Sequence, residues 1–281
     1  MRSLSGIARK VFRRAGWFFN SILWVVAGTF PRSSGRHDSD LSLTIGITTF
    51  LNRYERYFKP LVRKLVILFP GCRIIVIANG NVMREEQKSY LAAINDFCNR
   101  FTDIELTGYE NPAGLSHLWN RIMLDSGHQK VLILNDDLKI KPGFRKFIEH
   151  SGILGETIAT INSSWSHFLI SHEIYDMAGP FDEGLKEVGG EDDDYLARLA
   201  MSGIKPADYM TGTVARKGKK TRKSNEMNSY GKLISGEEGG YSTVNTEYLK
   251  RKWEMSEAYF EGSFEIPREK YRYWRLREKG E

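Results

Sequence analysis

Three stretches of the chain are apolar without a break: Leu43–Thr49 (LTIGITT), Arg73–Ala78 (RIIVIA) and Lys130–Asn135 (KVLILN). None alternates with polar positions, so each is expected to be a strand buried on both faces, as in a parallel sheet. Between the first two, Phe58, Leu61, Val62, Leu65 and Leu68 recur at helical spacing, and Pro70-Gly71 stops the run. That spacing predicts a helix over Tyr54–Phe69 and hence a βαβ unit. A helix near Met83–Phe101, a short strand Ile104–Thr107 and a helix near Leu115–Leu124 continue the alternation of a doubly wound α/β sheet. From Ile158 the pattern shortens: strands at Ile158–Asn162 and His167–Ser171, a helical turn to Gly179, and a helix from about Asp192 to Ser202 closed by Gly203. The second half therefore reads as mixed α+β.

The first 40 residues stand apart. Arg2, Arg9, Lys10, Arg13 and Arg14 precede an apolar, aromatic run, Ala15–Phe30, that includes Trp17, Phe18, Phe19 and Trp24. Sixteen residues fall short of the about 20 that cross a bilayer, and aromatics favour the headgroup boundary. The expectation is an interfacial anchor on an anionic membrane surface; a signal sequence or a helix packed on its own domain is the alternative. Pro31–Asp40 reads as a linker. The organisation expected is a membrane-associating segment at 1–40, a catalytic domain at 41–244, and a charged, aromatic extension at 245–281.

Charge changes the picture only once it is located. The chain carries +6 formally, but 13 of its 41 basic residues lie in 1–36 and 215–224, leaving 28 against 35 acidic ones. The body is acidic, which argues against a nucleic-acid-binding surface while allowing two local anion-binding patches. Cys72 and Cys98 cannot build a disulfide framework or a four-cysteine zinc site, and fit a reducing compartment.

Candidate chemistry sits in three clusters. Asn135-Asp136-Asp137 ends a buried strand, where open α/β sheets bind ligands. Two adjacent carboxylates there suit a hard cation, Mg²⁺ or Mn²⁺, shared with a diphosphate; the plain alternative is a turn with capping aspartates. Glu191-Asp192-Asp193-Asp194 opens a helix whose macrodipole favours negative charge. Four acids in succession repel unless a cation or substrate uses them, and paired carboxylates can leave one as a general base; Asp194 can also pair with Arg198 four residues on. Arg216-Lys217-Gly218-Lys219-Lys220-Thr221-Arg222-Lys223 is a basic loop that could close over a diphosphate, touch anionic lipid, or simply be solvated. Walker, Rossmann-glycine, metalloprotease and nucleophile-elbow signatures are missing.

Together these blocks resemble the inverting family-two glycosyltransferases of GT-A fold, the nucleotide-diphospho-sugar transferases, with a rhamnosyltransferase-like subgroup as one option. The similarity runs from about Leu43 to Tyr209. Ile45-Gly-Ile-Thr-Thr-Phe-Leu-Asn-Arg53 is similar to the family's opening strand and its Thr-Tyr-Asn-Arg end. Asn111-Pro-Ala-Gly-Leu-Ser-His-Leu-Trp-Asn120 and Asn135-Asp-Asp137 resemble its Asn-x-Gly helix and DxD-type motif. Gly179-Pro-Phe-Asp-Glu183 and Gly190-Glu-Asp-Asp-Asp-Tyr-Leu-Ala-Arg198 resemble its acceptor motifs.

The resemblance implies a Rossmann-like doubly wound sheet with a mixed α+β acceptor half. It implies that Asp137, with Asp136 beside it, binds Mn²⁺ or Mg²⁺ at the donor diphosphate, and that Asp192, next to Glu191, is the general base. Thr48, Thr49, Asn79, Asn111, His117, Asn120, Asp136, Arg216 and Lys217 are the residues it assigns to the nucleotide sugar. The partners implied are a nucleotide-diphosphate sugar and a surface-polysaccharide or lipid-linked glycan, at the cytoplasmic face of a membrane, with no nucleic acid. The chain also departs from the pattern: Ala78 replaces the usual base-contacting Asp, Asn135 the first Asp, Leu51 is an extra residue, and no His follows His172. A degenerate glycan- or lipid-binding scaffold and a nucleotidyltransferase are the competing readings.

Overall fold

In the computed structural model, residues 41–127, 130–216 and 243–254 are described. The N-terminal segment, Lys217 with the rest of the basic loop, and the tail from 255 onward lie outside the described residues. The elements run β1 (Thr44–Thr49), α1 (Lys59–Leu68), β2 (Ile74–Ala78), α2 (Arg84–Cys98), β3 (Ile104–Gly108), α3 (Leu115–Ser126) and β4 (Lys130–Asn135). There follow β5 (Leu138–Ile140), α4 (Phe144–His150), β6 (Ile158–Ile161), β7 (Ser164–Ser171), α5 (His172–Ala178), α6 (Glu191–Met201), β8 (Ala207–Tyr209), β9 (Val214–Arg216) and α7 (Thr243–Lys252).

Seven strands form one sheet in the order β3-β2-β1-β4-β7-β6-β8, and β5 pairs with β9 in a separate ribbon. β3, β2, β1 and β4 are parallel, and only β7 runs against its neighbours. The expected doubly wound first half and mixed second half are therefore what the chain builds.

The unbroken apolar strands are explained by the two layers that flank them. Ile45, Ile47, Val76, Leu132 and Leu134 join one core with Phe58, Leu61, Leu65, Ile94, Phe97 and Phe147. Their alternating neighbours Ile75, Ile77, Val131 and Ile133 join a second core with Leu118, Trp119, Ile122, Phe168, Tyr195 and Leu199. A strand with helices on both sides has no face left for polar residues.

The entry to α1 is irregular. After β1 the chain makes a 3₁₀ turn, Leu51–Arg53, then a π turn, Tyr54–Phe58, before α1 settles into regular α geometry. A π turn is how a helix accommodates one residue more than its repeat. The expected start of this helix at Tyr54 is thus a wider turn, and it carries Arg53 back across the end of β1.

The expected extension begins within the last helix described. α7 starts at Thr243 and buries Leu249 and Trp253 against Leu185, Ala197 and Met201. Lys252 bridges Asp182 and Asp194, each at 2.6 Å. Cys72 and Cys98 are buried free thiols, and burial pushes them up to about 11 and about 12 respectively. Among the described residues no helix is long and apolar enough to cross a membrane.

Candidate active site

β1 has β2 on one side and β4 on the other, so the order of connection reverses between β1 and β4. The crevice beyond the carboxyl ends of such a pair is where α/β sheets bind ligands. Thr48 lies in register with Asn135 there. Thr48, Thr49, Phe50 and Arg53 from the β1 side, Asn135 and Asp136 from β4, Leu115 and Leu118 from α3, Val188 and Arg216 line a pocket of about 190 Å³. That is below the roughly 300–1,000 Å³ of most small-ligand sites, so a whole nucleotide sugar would extend beyond it. Two larger depressions, of about 520 and 530 Å³, are open grooves elsewhere on the surface.

The charge in the pocket is paired. Asp136 is buried, and both of its oxygens are engaged: Arg53 Nη1 donates to Oδ1 at 2.6 Å and Thr49 Oγ1 to Oδ2 at 2.8 Å. Burial raises the Asp136 carboxyl above its ordinary value, and Arg53 opposes that rise. Burial also works against the Arg53 guanidinium, but Asp136 and Asp137 outweigh it and hold the group charged. Asp137 is equally buried and more loosely held: Arg216 Nη2 and Nε stand 3.3 and 3.4 Å from Oδ2, and Arg53 Nη2 stands 3.7 Å away. Asp137 Oδ1 and Asn135 Oδ1 are buried acceptors with no hydrogen-bond partner among the described residues.

These oxygens test the expected metal. Among the described residues no group of three or more His, Cys, Asp or Glu side chains could hold an ion. Asp136, expected as a ligand, has both oxygens engaged by Arg53 and Thr49. Asp137 Oδ1 and Asn135 Oδ1 are free to ligate. One carboxylate and one amide oxygen fit Mg²⁺ or Mn²⁺ where substrate phosphates complete the shell.

The acid-rich helix is largely neutralised by its own surroundings. Gly189 and Gly190 have φ of 114° and 90°, a region open to glycine, and this turn folds the Glu191 carboxylate back onto the Gly189 N–H at 2.9 Å. Burial pushes Glu191 up to about 8. Asp194 is fully buried and receives Arg198, Trp253 Nε1 and Lys252. Asp192 is half-buried, and burial raises it while the backbone N–H groups of Asp192 and Asp193 work against the rise. Neither Glu191 nor Asp192 lines the pocket; Val188, just before the glycine turn, does. The sequence argument that four acids require a ligand is corrected, because protein cations and burial account for two of them.

Other expected donor contacts have structural partners. Asn79 accepts from the Gly80 and Ala113 N–H groups and donates to the Ala113 carbonyl, tying the loop after β2 to the loop before α3. Asn111 is exposed there, and its backbone comes so close that a Cβ on Gly80 would lie 2.1 Å from it. Asn120 donates to the Phe181 carbonyl and Glu183 and accepts from the Phe181 N–H and Tyr175, so it holds the Phe181–Glu183 loop. His117 contacts Glu183 at 2.9 Å and Tyr109 at 3.1 Å and lines the open groove with Pro112, Leu185 and Glu187. Of the expected set, the structure brings Thr48, Thr49, Asp136 and Arg216 into one pocket, with Asp137 beside them; Asn79, Asn111, His117 and Asn120 lie outside its wall.

Arg53 is the residue that sequence reasoning left without a role. It closes the opening motif, yet its partner Asp136 lies 83 positions further on. Its guanidinium also stacks over Phe50 and Tyr57, 5.1 and 5.7 Å from the ring centres.

No protein-family model matches the sequence, nor does any curated protein. Among solved structures, the chain is similar to S. aureus TarS 1–349 at 13% identity and TM-score 0.42, over 77% of this chain and 73% of that one. The same protein in complex with UDP gives 12% and 0.44, over 83% and 77%. Glucosyl-3-phosphoglycerate synthase from Mycobacterium tuberculosis, in complex with Mn²⁺, UDP and glucosyl-3-phosphoglycerate, gives 12% and 0.44, over 73% and 84%. Likeness of this degree concerns the general course of the chain and says nothing about individual side chains.

Proposed function

We propose that the protein is an inverting glycosyltransferase that moves a sugar from a nucleotide-diphosphate donor to a surface-polysaccharide or lipid-linked glycan. The observation that carries this reading is the pocket at the β1/β4 carboxyl ends, with buried Asp136 and Asp137 facing Arg53 and Arg216. Such a pocket suits a diphosphate, and the ordered motifs named above supply the rest.

In the proposed reaction Thr48 and Thr49 fix the donor at the end of β1. Arg53 locks Asp136, so that the pocket floor is rigid before the donor arrives. Arg216 binds diphosphate oxygens, and preorganised positive charge there stabilises the leaving group as its bond to the anomeric carbon breaks. Asp137, with Asn135, would hold a divalent cation, which when bound supplies further neutralisation of that leaving charge. Asp192 takes the proton from the acceptor hydroxyl as the acceptor oxygen bonds the anomeric carbon from the opposite side. Burial raises the Asp192 carboxyl above its ordinary value, the direction that makes a carboxylate a better proton acceptor. A single displacement of this kind inverts the anomeric centre and needs no covalent nucleophile.

We also propose that 1–36 attaches the protein to the inner face of a membrane. Protein beginning at residue 37 is expected to lose its partition onto anionic vesicles; full retention contradicts the anchor. The donor reading is tested by thermal shift with UDP-, GDP-, dTDP- and CMP-sugars, with and without Mn²⁺. A rise in melting temperature with one nucleotide class is expected, because a ligand that binds only the folded state stabilises it. No shift with any of them, in folded protein, contradicts the reading.

A further inference from the structure

The two arginines in the pocket are not held alike. Arg53 is 12% exposed, makes a 2.6 Å bond to Asp136 and is sandwiched by aromatic rings, so it is fixed. Arg216 is 30% exposed and reaches Asp137 only at 3.3 Å. Among the described residues two carboxylates thus face two guanidinium groups, and this cluster has no net charge to attract a bare dication. At an effective dielectric of about 20, each unit-charge pair at 4 Å is worth about 4 kcal/mol, so attraction from the two acids is offset by repulsion from the two arginines. A diphosphate breaks this balance. It brings acceptor oxygens that a guanidinium fork binds in preference to a long, single-oxygen contact. Once Arg216 moves to the phosphates, Asp137 Oδ2 is released, next to two oxygens, Asp137 Oδ1 and Asn135 Oδ1, that already lack partners among the described residues.

We propose that Arg216 holds the place of a divalent cation beside Asp137 until a diphosphate draws it away, so that the site binds a nucleoside diphosphate without metal and binds a metal ion only as part of that complex. The proposal rests on the donor reading above and adds to it an order of binding and a residue that sets the order. With Asn135 in place of an aspartate, one negative charge fewer faces the pair of arginines, and neutrality is reached without a resident cation.

The test is isothermal titration of the full-length protein with UDP, GDP and dTDP, each in EDTA and in MnCl₂, and with MnCl₂ alone. One nucleotide is expected to bind in EDTA, more tightly with Mn²⁺, while Mn²⁺ alone gives no binding heat. Arg216→Gln is expected to weaken binding in EDTA by roughly ten- to a hundredfold, the range for one charge-assisted hydrogen bond, and to let Mn²⁺ bind alone. Asp137→Asn is expected to keep binding in EDTA and lose the gain from Mn²⁺. The proposal is overturned if wild-type protein binds nucleotide only with Mn²⁺, if Mn²⁺ binds it alone, or if Arg216→Gln binds unchanged in EDTA. If no nucleotide binds in either buffer, the donor reading itself fails and this inference falls with it. Should either variant melt early, the three wild-type titrations still decide the matter.

Discussion

Replacing Arg53 with Met removes the charge that Asp136 faces while keeping much of the side chain's apolar bulk over Phe50 and Tyr57. Asp136 is 1% exposed, so water cannot replace the lost partner. Breaking a buried ion pair from one side costs about 3–5 kcal/mol, because the remaining charge is left unpaired. For a domain of this size each kcal/mol lowers Tm by about 2–4 °C, so a fall of roughly 6–20 °C is expected. Two further results follow from the same cause. Asp136 already has a raised carboxyl through burial, and loss of Arg53 raises it further. An acid whose folded pKa is raised contributes stability that is present below its unfolded value and lost as pH rises through its folded value. The deficit of Arg53→Met should therefore shrink as pH falls. Adding Asp136→Asn should recover most of the loss, since removing both charges leaves nothing unpaired. Differential scanning calorimetry across pH on the wild type, both single variants and the double variant measures all of this. An additive double variant, or a deficit that grows on acidification, refutes the claim that Arg53 acts by holding Asp136.

Asn120→Ala should cost about 3 kcal/mol in denaturant unfolding, because Phe181 N–H and Tyr175 lose a buried acceptor; nucleotide affinity should be unchanged if its role is structural. Gly80→Ala should cost about 3 kcal/mol or more, since its Cβ would meet Asn111 backbone at 2.1 Å; wild-type stability would show that the two loops can part. Glu191, with its ordinary 4.5 raised to about 8, contributes stability below pH 4.5 that is lost as pH rises through 8. Glu191→Gln should lack that loss, so urea midpoints of variant and wild type should diverge in the variant's favour between pH 5 and 8; parallel curves would refute it.

What the sequence made legible was what short-range pattern encodes. β1, β2 and β4 could be placed because unbroken apolar runs have one physical explanation, burial on both faces. β5, β9 and β8 were not foreseen: three-residue strands such as Val214–Arg216 carry too few positions for any period to emerge. The particular contacts of α7 were equally hidden, since they depend on Lys252 and Trp253 reaching Asp194, 58 and 59 positions away. The site divides the same way. Asp136 and Asp137 could be named because the end of a buried strand is where a doubly wound sheet binds ligands, whereas Thr48 and Thr49 were named only through the resemblance. Arg53 could not be given a role from its neighbours, because its role exists only once β1 and β4 are paired. Asn79 and Asn120 look like ligand contacts in a motif, yet their amides satisfy backbone groups of adjacent loops, a use that residue type alone does not distinguish.

The central claim is most directly tested by turnover. Wild-type protein and Asp192→Asn should be incubated with each sugar nucleotide, with release of nucleoside diphosphate followed over time and donor affinity measured in parallel. The account predicts that wild type releases nucleoside diphosphate from one donor class, and that Asp192→Asn binds that donor equally well and releases none. Turnover retained in Asp192→Asn would contradict the assignment of the base, and no release from any donor by folded wild-type protein would contradict the transferase itself.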